Sequence, residues 1–265
     1  EVERTVGSAQ GYRKNHILAF TDLGNAERLR RDHYESILFV KEEKRWRIYD
    51  GSRWVVDSGA VERRAHETIR RIISEAGNDP EELQRAVKWQ KTSESSARIK
   101  ALLEVASSLE GLTVSKQELD KDLNLINFVN GTLDLKSGNF REHQPSNYLT
   151  RMAGCLYDPN AISERWLRFI DEIMDGSEED SVYLQKLGGY FLWGKRPEQI
   201  IQFFKGDGGD GKSVFVETIR KLLGDRLPCP HFRSRRRTQV PYLTILLGYQ
   251  AQGLLQYQSS QRLCT

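Results

Sequence analysis

The spacing of apolar residues changes period several times along the chain, and each change marks an expected element. Leu23, Ala26, Leu29 and His33 recur at helical spacing, which predicts a helix over residues 22–35 with Asp22 at its N-cap. Ile37–Val40, Trp46–Tyr49 and Trp54–Val56 are short β-type runs separated by KEEKR and Asp50-Gly51-Ser52, the pattern of a small antiparallel meander. Such a sheet needs a helical partner. Residues 61–111 supply one, in two periodic stretches: the first closes at Gly77, and Pro80 stands at a natural first helical position of the second. From Leu123 to Arg151 the alternation returns, punctuated by Asn130-Gly131 and Ser137-Gly138, and predicts two or three strands with hairpin turns. Helices are expected again at Glu164–Met174 and Glu178–Leu192, the latter with Leu184, Leu187, Tyr190 and Phe191 on its apolar face, and Lys195-Arg196-Pro197 ends that block.

Composition adds little to this outline. In a chain of 265 residues, 38% apolar and 9% aromatic content is enough for a packed core. Apolar runs such as Ile37–Val40 are far too short to cross a bilayer, and the first residues have neither a basic nor an apolar leader segment, so a cytoplasmic protein without membrane contact is expected. Cys155, Cys229 and Cys264 are widely spaced and form no C-x-x-C pair, which suggests neither a disulfide framework nor a zinc site. The five tryptophans, Trp46, Trp54, Trp89, Trp166 and Trp193, read as core or half-buried aromatics.

Charge is more informative, because the formal net of +3 averages two unlike regions. Residues 1–225 hold 34 basic and 37 acidic side chains, a net of −3, whereas residues 226–265 hold six arginines, six glutamines and no acid. The body of the chain is therefore not a broadly basic nucleic-acid surface. A stripe through Arg63, Arg64, Arg70 and Arg71 is more simply a solvated helix face.

The pattern that carries chemistry lies at Gly206-Asp-Gly-Gly-Asp-Gly-Lys-Ser213, between a β-type run, Gln199–Lys205, and a helical run in which Val214, Ile219, Leu222 and Leu223 suit a packed face. Strand, glycine loop and helix arrive in the order a phosphate-binding P-loop requires. Such a loop wraps a phosphate chain with inward backbone N–H groups, which demands left-handed φ values and no Cβ in the way. Lys212 would then reach the β- and γ-phosphates as the catalytic cation, Ser213 would ligate Mg²⁺, and Gly206, Asp207, Gly208, Gly209, Asp210, Gly211 and Val214 would complete the ATP cradle at a helix N-terminus. By chance the spaced pattern should arise in roughly one chain of this length in a hundred.

Leu125-Ile-Asn-Phe-Val-Asn-Gly-Thr-Leu-Asp-Leu-Lys-Ser-Gly138, then YLTRMAGCLYDP, a helical pair and QFFKGDGGDGKSVFVETIRKLLGD together resemble the phage and plasmid primase–helicases, superfamily-three helicases related to the poxvirus primase–helicase. The resemblance runs from about Thr21 to Asp225. It implies an α+β accessory domain, helix-rich with small antiparallel sheets, followed by the beginning of an α/β P-loop NTPase core. The corresponding organisation is a leader or the end of an upstream region at 1–20, the accessory domain at 21–196, the start of the ATPase at 197–225 and an aberrant tail at 226–265. It further implies ATP and Mg²⁺ as cofactors, DNA as a partner and a homo-hexamer in the intact protein, and a bacterial or phage-infected host cytoplasm. No primase carboxylate cluster is evident.

The second acidic motif, sensor strand and arginine finger that this resemblance requires have no counterpart after Asp225. Residues 243–258 can be decoded in a shifted frame as DDIAGLPGARLVTISE, a helicase-like string, so an out-of-frame tail and an inactive, truncated ATPase are expected. Two other readings stand beside it: a small-molecule kinase or other P-loop NTPase, and a non-enzymatic DNA- or partner-binding module with a vestigial loop.

Overall fold

The structure is a computed structural model, and it describes residues 18–193 and 202–226. The chain divides into two compact units, one of Glu1–Tyr49 with Val55–Lys116 and one of Asp50–Trp54 with Gln117–Thr265. Both are α+β, helix-rich with small sheets, as the pattern of periods implies.

In the first unit, α1 spans Asp22–His33. Its N-cap is Thr21 rather than the expected Asp22: the Thr21 hydroxyl accepts the Gly24 N–H at 3.0 Å. Asp22 instead pairs with Arg98. Strands β1 (Ile37–Val40) and β2 (Arg45–Tyr49) form the expected antiparallel hairpin with Phe39 opposite Trp46, and β3 (Trp54–Val56) extends the sheet beyond β2. The meander is not wholly antiparallel, because β4 (Thr113–Val114) adds to the other edge parallel to β1, Phe39 facing Thr113. A two-residue strand has too little periodicity to be seen in the sequence.

Helix α2 (Ser58–Arg70) leads through the short α3 (Ile72–Glu75) to α4 (Pro80–Ser93) and α5 (Ser96–Ala106). The second periodic stretch is thus two helices: Ser95 takes an extended conformation, with ψ 143°, and breaks it. A straight helix over residues 80–106 would run about 40 Å. Folding it back lets Ala86 on one arm and Ile99, Leu102 and Ala106 on the other enter the same core with Leu29, Trp46, Val61 and Ile69. A buried polar network accompanies that core. The fully buried Arg28 donates to Glu75 at 2.8 Å and to the Ala19 carbonyl at 3.0 Å, and the Asn25 amide links Trp89 and Ser93 of α4 at 3.1 and 3.0 Å. Every charge and amide there has a partner, which is what makes its burial tolerable.

The second unit is built on β5 (Leu125–Phe128), β6 (Gly131–Asp134) and β7 (Phe140–Arg141), an antiparallel sheet in that order. Phe128 faces Gly131 across the two-residue link Val129-Asn130, so the expected hairpin forms with its turn one residue earlier than Asn130-Gly131. Three helices follow: α6 (Glu164–Ile173) and α7 (Glu178–Leu192), N-capped by Ser163 and Ser177, and α8 (Lys212–Leu223). Their buried faces meet in one cluster containing Ile126, Phe128 and Leu133 of the sheet, Ile170, Leu184, Leu187 and Leu192, and Phe215, Ile219, Leu222 and Leu223. On α8 the buried residue of the first turn is Phe215, not Val214, which is 55% exposed. Positions 215, 219, 222 and 223 make one stripe at helical spacing, and 214 lies off it.

Candidate phosphate-binding site

The loop Gly206–Ser213 runs from an irregular segment into α8. The strand expected at Gln199–Lys205 is only partly visible to the structure: residues 199–201 lie outside the described residues, and Gln202–Lys205 form no ladder. Phe203 is 87% exposed there, while Phe204 turns back to pack 5.8 Å from Phe215. A central strand needs hydrogen-bonded neighbours on both sides, and the described residues offer it none.

The loop itself has the conformation its glycines were expected to supply. Gly209 and Gly211 take φ values of +94° and +79°, in the left-handed region. Gly211 is constrained twice, since a Cβ there would also lie 2.5 Å from Ile173 Cγ2 on α6. It is the N-cap of α8 and carries no capping side chain, so the first backbone N–H groups of the helix face the loop without a side-chain acceptor at the cap. Lys212 is the first helical residue. Its ammonium donates to the Asp207 carbonyl at 3.0 Å and pairs with the Asp210 carboxylate, and that hydrogen bond from Lys212 holds Asp210 below the usual carboxylate range. The loop's own acid therefore sits on the cation that a phosphate would claim.

Ser213 lies beside Lys212 on the wall of a cavity of about 770 Å³. Among the described residues no cluster of three or more His, Cys, Asp or Glu side chains could hold a metal ion. One serine hydroxyl suits Mg²⁺, which keeps most of its waters and takes the rest of its shell from phosphate oxygens. The residues present therefore fit the nucleotide and its metal together rather than a metal alone.

Contacts that no local sequence signal announces hold α8 at both ends. Trp166 of α6 stacks on Phe215 at 5.9 Å with an interplanar angle of 18°. At the other end of α8, the Gly154 N–H donates to the Leu222 carbonyl at 3.0 Å. Asp225 accepts the Met152 N–H at 2.6 Å and pairs with Arg53. The same segment is tied to the sheet, with the Ala153 N–H on the Asn127 carbonyl at 2.7 Å and the Val129 N–H on the Cys155 carbonyl at 3.2 Å. The segment 152–155 therefore links the sheet to α8. Its sequence, within YLTRMAGCLYDP, was informative as part of a resemblance but gave no hint of this role.

The remaining sequence readings divide. Trp46 and Trp54 are buried and Trp89, Trp166 and Trp193 half-buried, as expected. Arg63, Arg64 and Arg71 are in ion pairs with Asp57, Glu67 and Asp32, the behaviour of a solvated face. Among the described residues no helix is long and apolar enough to cross a membrane. Cys229, Cys264, Lys195–Pro197 and the arginine-rich tail after Arg226 lie outside the described residues.

A helix-rich α+β region leading into a glycine loop and helix is the class of protein that fold and site define. Residues 26–175 match the family model described as D5 N terminal like, and since this is more than half of the chain, the protein belongs to that family. This agrees with the primase–helicase resemblance read from the sequence. Two viral relatives are similar to it. Putative helicase 184R of Invertebrate iridescent virus 6 is 28% identical over 129 residues, covering 47% of this chain and 13% of the relative. Putative helicase 121R of Invertebrate iridescent virus 3 is 29% identical over 114 residues, covering 41% of this chain and 12% of the relative. The similarity thus spans about an eighth of these relatives' length.

Proposed function

We propose that the chain is the N-terminal part of an ATP-dependent DNA helicase of the primase–helicase type, and that residues 206–213 bind Mg²⁺-ATP. The single observation carrying the nucleotide site is the loop at the head of α8: left-handed glycines at 209 and 211, with Lys212 at the first helical position. Gly206–Gly211 would wrap the phosphates, Lys212 would exchange Asp210 for phosphate oxygens, and Ser213 would hold the metal. Family membership and relatives named as helicases support DNA as the partner of the intact protein.

Bound Mg²⁺ would neutralise and orient the phosphates; everything else at the site falls to the chain. The loop N–H groups and the α8 dipole favour the anionic ligand. Phe169 and Ile173 of α6 lie against Gly211, and Trp166 of the same helix stacks on Phe215, so the start of α8 is held against α6. Hydrolysis would further need an acid to activate water and a second metal contact, and residues 226–265 contain no Asp or Glu. We attribute that tail to a change of reading frame near Asp225, which sequencing the coding DNA through codons 220–265 would decide.

Equilibrium binding of Mg²⁺-ATP to the whole chain and to Lys212→Ala tests the site. The wild type should bind at least about ten-fold more tightly, the worth of a charge-assisted contact. Equal weak binding by both would leave the reading of a binding module with a vestigial loop.

A further inference from the structure

Asn130-Gly131 marks the β5–β6 hairpin, and the same dipeptide carries a reactive liability. With no Cβ on the second residue, its backbone nitrogen reaches the preceding carboxamide easily, so asparagine before glycine is prone to lose ammonia. The fold nevertheless demands glycine here. Gly131 is buried, and a Cβ on it would lie 2.6 Å from both the Arg141 carbonyl oxygen and the Phe140 ring of β7. Asn130 itself is exposed, so water reaches it. Its carboxamide is held at both ends: Nδ2 donates to the Tyr157 carbonyl at 2.8 Å, and Oδ1 accepts the Tyr157 N–H at 2.9 Å. Tyr157 is placed in turn by two rings, Phe140 at 4.8 Å and Phe128 at 5.4 Å between centroids.

We propose that Asn130 is a deamidation site kept in its amide form by this clasp on Tyr157, and that its conversion releases the β5–β6 turn from residues 155–157. In the reaction the Gly131 nitrogen bonds to Asn130 Cγ, the Cγ–Nδ2 bond breaks, and ammonia leaves with the proton given up by that nitrogen. Water then opens the cyclic imide at either carbonyl, yielding aspartate or isoaspartate. Closing the ring rotates the carboxamide and makes Cγ tetrahedral, so both hydrogen bonds to Tyr157 must break first. In the aspartate form an oxygen replaces Nδ2 opposite the Tyr157 carbonyl, and two acceptors meet where a hydrogen bond stood.

The test follows aspartate and isoaspartate at position 130 by peptide mapping and mass spectrometry of the whole chain at mildly alkaline pH, folded and in urea. The folded chain should deamidate at least about ten-fold more slowly, the weight of two hydrogen bonds. Tyr157→Ala removes the ring that Phe128 and Phe140 hold and should move the folded rate towards the unfolded one, whereas Tyr157→Phe should stay slow. Asn130→Asp tests the release without altering Tyr157: it should unfold at lower urea than wild type, with faster hydrogen exchange at Val129 and Tyr157. Equal rates in folded and urea-unfolded wild type, or a folded Tyr157→Ala that deamidates as slowly as wild type, would overturn the clasp. An Asn130→Asp midpoint at or above the wild-type value would overturn the release.

Discussion

Gly154 and Leu222 are joined by a backbone hydrogen bond of 3.0 Å, and through it the segment that borders β5 holds the last turn of α8. The contact is close enough to exclude any side chain: a Cβ on Gly154 would lie 2.2 Å from the Lys221 carbonyl oxygen. Gly154→Ala must push α8 away from the sheet, and an overpacked site of this kind costs about 1–3 kcal/mol. The expected outcome is a lower unfolding midpoint together with faster backbone hydrogen exchange over residues 215–223, while exchange in β6 changes less. A variant with wild-type stability would show that α8 is not held there.

Gly211→Ala attacks the other end of the same helix. The residue needs a left-handed φ, which costs a non-glycine residue roughly 1–2 kcal/mol, and its Cβ would strike Ile173. Loss of measurable ATP binding is expected with the fold of the sheet retained, as judged by circular dichroism. Gly208 provides the contrast, since a Cβ there meets nothing within 4 Å. Gly208→Ala should affect stability far less.

Much of this outline was legible in the sequence, and for identifiable reasons. Helices α6 and α7 have long periodic faces and serine caps, and the β5–β6 hairpin has Asn130-Gly131, so local signals and tertiary structure agree. The glycine loop was legible because its chemistry is compressed into eight adjacent residues. What escaped depends on partners distant in the chain. Phe215 rather than Val214 faces the core because Trp166 and Phe204 wait there, and Asp225 acts through Met152 and Arg53. The strand expected before the loop follows the same logic in reverse: a β-type run at 202–205 stays out of any ladder when no neighbouring strand is present among the described residues.

Asp210 occupies the Lys212 ammonium that a bound phosphate would need. Replacing it by Asn keeps the shape and removes the charge, so Asp210→Asn should bind Mg²⁺-ATP a few-fold more tightly than wild type, an order expected for an exposed ion pair. Because Lys212 keeps Asp210 ionised to below the ordinary carboxylate range, the competition persists through mildly acidic pH. Titration of both proteins by calorimetry at pH 7 and pH 5.5 checks this: the Asn variant should hold its advantage at both values. Weaker binding by the variant would mean that Asp210 supports the loop rather than blocking it.

Burial pushes the Cys155 thiol up to about 11 from an ordinary value of 9.0. A raised thiol value means that the folded state keeps its proton where the unfolded chain has lost it. Stability from this source is therefore intact below pH 9 and declines as pH rises through about 11. The whole effect is at most about 3 kcal/mol. Urea unfolding of wild type and Cys155→Ala between pH 8 and pH 10.5 isolates it, because the other titrating groups are common to both. The gap between the proteins should narrow as pH rises, and a gap independent of pH would contradict the buried, neutral thiol.

The central claim is that residues 206–215 are the nucleotide site and act as one piece with α8. Backbone hydrogen exchange of the whole chain, with and without saturating Mg²⁺-ATP, measures this most directly. The account predicts slowed exchange concentrated in residues 206–215 of the wild type and absent from Lys212→Ala. No protection of that segment at saturating ATP, or equal protection in the variant, would contradict it.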